Sequence, residues 1–93
     1  MSWCVYILLC SDGSLYVGYT KDLEQRVATH NAGKGAAHTA LRMPVKLVYS
    51  EPFESEPAAV AREAQLKKWS RAKKYALIAG DKEQLHVLAK RRT

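Results

Sequence analysis

The apolar positions of the first twenty residues fall into two runs separated by a turn. Trp3 to Cys10 is apolar on both alternating sets of positions, which predicts a strand buried on both faces. Leu15 to Tyr19 is shorter, aromatic and rich in strand formers. Ser11-Asp12-Gly13 between them carries the Asp-Gly pair that closes hairpins. Two registers compete. A two-residue Asp12-Gly13 loop puts Tyr6 and Tyr16 on opposite faces. A three-residue loop with Gly13 left-handed in a bulged turn opposes Cys10 to Ser14, Leu8 to Tyr16 and Tyr6 to Gly18. The second register is preferred, because it sets both tyrosines on one face as diagonal neighbours about 7–8 Å apart. It also leaves a gap in front of Tyr6, where Gly18 has no side chain.

Beyond the hairpin the period changes to that of a helix. Asp22 reads as an N-cap with Gln25 as its capping-box partner, and Asn31 to Gly35 ends the helix. Leu23, Arg26, Val27 and His30 share one face, so a guanidinium and an imidazole border the apolar stripe. A snorkelling arginine with a satisfied boundary histidine competes there with a functional pair. Gly33-Lys34-Gly35 reads as a flexible surface turn rather than a phosphate loop, because G-x-x-x-x-G-K-[ST] is absent. Val45 to Tyr49, following Pro44, predicts a third strand, half exposed or at a sheet edge. Ser55 and Pro57 open a helix running through Trp69, with Ala59, Val60, Ala64 and Leu66 as its apolar arc. Ser70 caps a further helix, Arg71 to Ala79, closed by Gly80, and a last helix is expected from Lys82 to about Lys90.

Glu63 falls near the centre of that apolar arc, with Lys67 beside it. A buried carboxylate costs several kcal/mol unless it is paired or holds a metal. A functional carboxylate and an i,i+4 pair to Lys67 both remain open, but the wheel disfavours the pair because neither residue falls on the solvent face.

Charge then narrows the partners. In 93 residues, 15 Lys+Arg stand against 9 Asp+Glu, a formal net charge of +6. That favours an anionic partner. No apolar run approaches the roughly 20 residues of a membrane span, and no secretory signal is seen, so a cytoplasmic single domain over residues 1–93 is expected, without a membrane partner. Cys4 and Cys10 lie about 20 Å apart on one strand, too far to bridge, and read as reduced thiols. Lys67, Lys68, Arg71, Lys73 and Lys74, with Trp69 and Tyr75 among them, form a candidate phosphate-contacting surface, to which Lys34 is added.

Two tyrosines, an arginine, a histidine and a carboxylate thus invade otherwise apolar surfaces. Cys4-Val5-Tyr6 and Tyr16-Val17-Gly18, ten residues apart, resemble the two signature triplets of the GIY-YIG endonucleases. Thr20, Leu23, Arg26, His30 and Glu63 also fit, as do H-N-x-G-K-G and P-V-x-L-V-Y, which are similar to small stand-alone bacterial members. The resemblance covers about residues 3–75, leaving 76–93 as a helical extension. It implies an α+β fold, a three-stranded antiparallel sheet flanked by helices. It implies a metal-dependent endonuclease cleaving phosphodiester bonds in nucleic acid, with DNA favoured and sequence specificity low. Tyr6, Tyr16, Arg26 and His30 would be catalytic, and Glu63 would hold one divalent cation, Mg²⁺ or Mn²⁺; no small-molecule cofactor is implied. Cys4, Val5 and Val17 depart mildly from the triplets. The family's late asparagine is unfilled, since Asn31 is the only asparagine. A nucleic-acid-binding module that keeps the fold without efficient turnover is the alternative. The oligomeric state is not legible.

Overall fold

The computed structural model describes residues 2–35, 37–40 and 42–80. Its order is β1 (Trp3–Leu9), β2 (Leu15–Thr20), α1 (Leu23–Asn31), α2 (Ala37–Ala40), β3 (Lys46–Phe53), α3 (Glu56–Lys67) and α4 (Arg71–Ala79). The three strands form an antiparallel sheet in the order β2-β1-β3, and the fold is α+β. β1 is central, which is why it is apolar on both alternating sets. Val5 and Ile7 face Val17, Ala59 and Leu66 on one side, where α3 packs and Leu77 and Ile78 of α4 join. Tyr6, Leu8 and Cys10 face Val45 on the other, against Tyr16 and against Leu23 and Val27 of α1. The helix expected after Asp81, with Lys82 to Lys90, lies outside the described residues.

The hairpin adopts the three-residue loop. The Cys10 amide donates to Ser14 O at 2.9 Å, Gly13 has φ 85°, and Tyr6 pairs with Gly18 and Leu8 with Tyr16. Asp12 accepts from the Ser14 amide at 2.9 Å and from its hydroxyl at 2.6 Å, and Arg42 closes on its other oxygen at 2.7 Å. These bonds, those from Ser14 first, hold the Asp12 carboxyl down at about 2. On the far side Arg71 donates to Gly13 O at 2.7 Å, so α4 also ties the turn.

Three expectations need correction. The third strand runs to Phe53 rather than ending at Tyr49, through Glu51 and Pro52. Proline is tolerated because β3 is an edge strand, and a register shift opposite Ile7 and Leu8 breaks the simple alternation. The capping box at Asp22 has one arm only: its side chain accepts from the Gln25 amide, while its own amide is taken by Thr20 Oγ1 at 3.1 Å. In α3 the buried positions are Ala59 and Leu66, and Val60 and Ala64 are exposed. The inward stripe therefore runs 59, 62/63, 66, and Glu63 lies on it. Both cysteines are free thiols, Cys10 buried and Cys4 half-buried.

Candidate active site

Tyr6 stands on β1 opposite Gly18 of β2, with only 2% of its surface exposed. A Cβ at position 18 would lie 2.4 Å from the Tyr6 Oη. The phenol thus occupies the space that any side chain at 18 would need. Tyr16 is the diagonal neighbour, with ring centroids 6.5 Å apart.

α1 supplies the next two groups from one face, as the helical period requires. His30 is 1% exposed, its ring 5.2 Å from that of Tyr16. Its Nε2 lies 3.1 Å from Tyr6 Oη, and its Nδ1 lies 2.6 Å from Thr39 Oγ1. A Cβ on Gly35 would sit 2.2 Å from that Nδ1, so residue 35 is glycine because its backbone closes on the imidazole. Gly33 takes φ 78° as the chain leaves the helix, its amide donating to His30 O at 3.1 Å. Within the Gly-Lys-Gly turn, Gly35 therefore packs on the histidine while Lys34 is exposed. Arg26, one turn before His30, is exposed.

Glu63 reaches the same place from the other side of the sheet. A groove of about 550 Å³ along β2 is lined by Tyr6, Tyr16, Gly18, Arg26 and Glu63, and also by Trp3, Lys21 and Glu56. Four of the five sequence-derived site residues line it. His30 does not, and it lies behind Tyr6 as a buried support. The Lys67 ammonium is 3.5 Å from Glu63, with side chains 52% and 17% exposed respectively. The i,i+4 pair disfavoured from the wheel therefore forms. Lys67 is on the solvent side, and its flexible stem carries the charge back to a mostly buried carboxylate.

Burial first, then the neighbouring Tyr16, pushes the Tyr6 phenol well above its ordinary value, against the pull of Arg26. Burial first, then Arg26, pushes the His30 imidazole below its own. Both groups are neutral near pH 7, joined by a hydrogen bond inside a dry pocket. On the other side of the site Tyr16 is half-buried and Arg26 is exposed.

The basic set divides. Lys34, Lys67, Lys68 and Arg71 are exposed. Lys73 is only 9% exposed, with its ammonium 4.2 Å over the Trp69 ring. Its burial against Trp69 sets it apart from the exposed members of the basic set. Lys74 is half-buried, which lowers its pKa. Sequence reasoning missed Thr39 and Gly35, whose roles depend on a contact across the α1–α2 connection. It also missed Asn31, which brackets Val45: its carboxamide donates to Val45 O at 3.2 Å and accepts from Val45 N at 2.8 Å. The only asparagine thus anchors the entry to β3.

An α+β domain with a tyrosine-bearing hairpin and this groove defines a class. The model of the GIY-YIG catalytic domain matches residues 2–76, and the chain belongs to that nuclease family. Its curated relatives include a UPF0213 protein of Staphylococcus saprophyticus, 51% identical over 75 residues, which span 81% of this chain and 92% of the relative. Another is a UPF0213 protein of Natronomonas pharaonis, 52% identical over 77 residues, with 83% and 91% covered. The solution NMR structure of the UPF0213 protein of Bacillus halodurans is similar, with TM-score 0.57 and 43% identity over 87% of this chain and 86% of that one. No described helix is long and apolar enough to cross a membrane.

Proposed function

We propose that the protein is a divalent-cation-assisted endonuclease that hydrolyses phosphodiester bonds in nucleic acid, with DNA as its leading substrate and low sequence specificity. The observation that supports this best is the convergence of Tyr6, Tyr16, Arg26 and Glu63 on one groove, with His30 bonded behind Tyr6. Phosphodiester hydrolysis needs a base for water, cationic cover for the phosphoryl oxygens and help for the leaving oxygen.

Tyr6 is the group placed to take the water proton. A free phenol with pKa about 10 is only about a thousandth ionised near pH 7, and burial makes Tyr6 harder still to ionise. His30 Nε2 resolves this. As the attacking water loses its proton to Tyr6 Oη, the phenol's own proton passes to Nε2, so no free phenolate is needed. The water oxygen bonds to phosphorus as the P–O ester bond breaks, the leaving oxygen takes a proton from solvent in the open groove, and His30 returns its proton through Tyr6 to solvent. Arg26 at the exposed side of the groove covers the phosphoryl oxygens, and its fork suits them. Tyr16 orients the water or the phosphate.

Among the described residues no three His, Cys, Asp or Glu side chains are grouped as a cage. A single carboxylate suits Mg²⁺, which keeps several waters and takes a phosphate oxygen, and Glu63 on the groove wall is that carboxylate. A bound cation would supply further charge stabilisation there. The Glu63–Lys67 contact favours the second reading, a binding module without turnover. Nicking of supercoiled plasmid with Mg²⁺ and with EDTA decides. Mg²⁺-dependent nicking that is lost in Arg26→Ala supports the nuclease. Salt-dependent binding with no nicking under any divalent cation leaves the binding module.

A further inference from the structure

The groove does not account for Thr39. It sits on the four-residue α2, outside the groove's lining, and is 0% exposed. Its hydroxyl oxygen lies 2.6 Å from His30 Nδ1. Gly35 presses on the same edge of the ring. Neutral imidazole carries one proton on either nitrogen, and the bonds that each nitrogen makes set the choice. A phenol is a strong donor and a poor acceptor, and an imidazole nitrogen is a strong acceptor. An aliphatic hydroxyl oxygen accepts better than a phenol oxygen does. The favoured arrangement therefore has Tyr6 O–H donating to a bare Nε2, and Nδ1–H donating to Thr39 Oγ1.

We infer that Thr39 is a positioning residue that holds His30 in the Nδ1–H tautomer, with Nε2 left bare to receive the Tyr6 proton. This rests on the nuclease reading for its consequence but not for its geometry. Without the Thr39 acceptor the ring can carry its proton on Nε2, where it faces Tyr6 as a donor. The relay then has no terminus. Around the imidazole stand Tyr6 from β1, Tyr16 from β2 and Arg26 from its own helix. Tyr6 bonds to Nε2, while Thr39 Oγ1 stands at Nδ1, so the choice of tautomer is assigned to Thr39.

The test reads the tautomer directly. Long-range proton–nitrogen correlation spectra of the ¹⁵N-labelled full chain near pH 7 in EDTA report which ring nitrogen carries the proton. The His30 signals are identified by their loss in His30→Gln. Wild type and Thr39→Ser are expected to show Nδ1–H. Thr39→Val should move the ring toward Nε2–H and lower plasmid nicking in kcat by roughly 10–100-fold, the usual effect of removing a histidine's orienting partner. KM should be unchanged, and Thr39→Ser should restore the rate. A wild-type ring protonated on Nε2 overturns the inference, even if Thr39→Val fails to fold. So does a folded Thr39→Val that keeps both the tautomer and the rate. If wild type shows Nδ1–H but never nicks nucleic acid, the nuclease reading fails and the tautomer assignment stands.

Discussion

Replacing Glu63 by alanine separates a metal ligand from a structural ion-pair partner. If the pair to Lys67 were well buried, losing one partner would cost roughly 3–5 kcal/mol, because a stranded charge remains. The geometry argues against that cost. Lys67 is 52% exposed, and the contact is 3.5 Å rather than a close bond. The ammonium left behind returns to water. Such pairs are worth about 0–1 kcal/mol, and alanine recovers a few tenths in helix propensity. Melting in EDTA should therefore shift by no more than about 1 kcal/mol, or roughly 4–8 °C for a domain of this size. Mg²⁺ supplies the second arm. At tenfold excess over Kd, a ligand of the folded state stabilises by about 1.4 kcal/mol. The wild type should show that upward shift, and Glu63→Ala should lose it together with nicking. A drop of several kcal/mol in EDTA, with nicking per folded molecule unchanged, would make Glu63 a structural partner and remove it from the site.

Gly18→Ala should abolish nicking while the sheet survives, since its Cβ would lie 2.4 Å from the Tyr6 Oη and push the phenol from His30. The overpacking should cost about 1–3 kcal/mol in a denaturant melt, and a variant with wild-type nicking would show that Tyr6 need not stay there. Stability should fall at both ends of the pH range. His30 is held below its ordinary 6.5, so the unfolded chain binds the extra proton and stability drops as pH falls below that value. Tyr6 is held above its ordinary 10, so stability drops as pH rises past it, and Tyr6→Phe should soften that alkaline arm in melts taken across pH. Binding to a random duplex should weaken steeply with salt, and Lys68→Ala should reduce the slope by about one if its exposed ammonium meets a phosphate. Lys73→Ala should leave that slope unchanged, because Lys73 is packed on Trp69.

The sheet was legible because its signals are local. The Asp-Gly turn between two strand-forming runs marked the hairpin, and of its two possible registers the one with a common face for Tyr6 and Tyr16 is the one that forms. Helical spacing put Arg26 and His30 on one side of α1. Other features depended on partners distant in sequence. A half-exposed or edge position of β3 was expected, but its continuation through Glu51 and Pro52 to Phe53 was not, because a proline reads as the end of a strand. On α3 the wheel put Ala59, Val60, Ala64 and Leu66 on one arc, and only packing on Val5, Ile7 and Val17 chose Ala59 and Leu66 over Val60 and Ala64. Lys73 looked like part of a basic run, but Trp69 takes up its ammonium. Thr39 carried no signal at all, because its bond to the imidazole joins residues nine positions apart.

The arrangement divides labour by hydration. Tyr6, His30 and Thr39 are each at most 2% exposed and carry protons but no net charge near pH 7. A standing charge there would face the cost of burial, so the imidazolium formed when Tyr6 passes its proton on exists only during turnover. Arg26, exposed on the groove, and Glu63, on its wall with the Lys67 ammonium 3.5 Å away, are the charged members, the first met by water and the second by a counter-charge before any substrate arrives. The two glycines lie on the dry side, where Gly18 meets Tyr6 and Gly35 meets His30. Both make room for a ring rather than for a bend: neither takes the positive φ that Gly13 and Gly33 adopt. A dry proton relay can be preorganised by packing alone, since close packing fixes neutral rings well. The charged half cannot be fixed that way and must be completed by phosphate and cation. Substitutions on the dry side should therefore act mainly on kcat, and those at Arg26 and Glu63 should also change the dependence on salt and Mg²⁺.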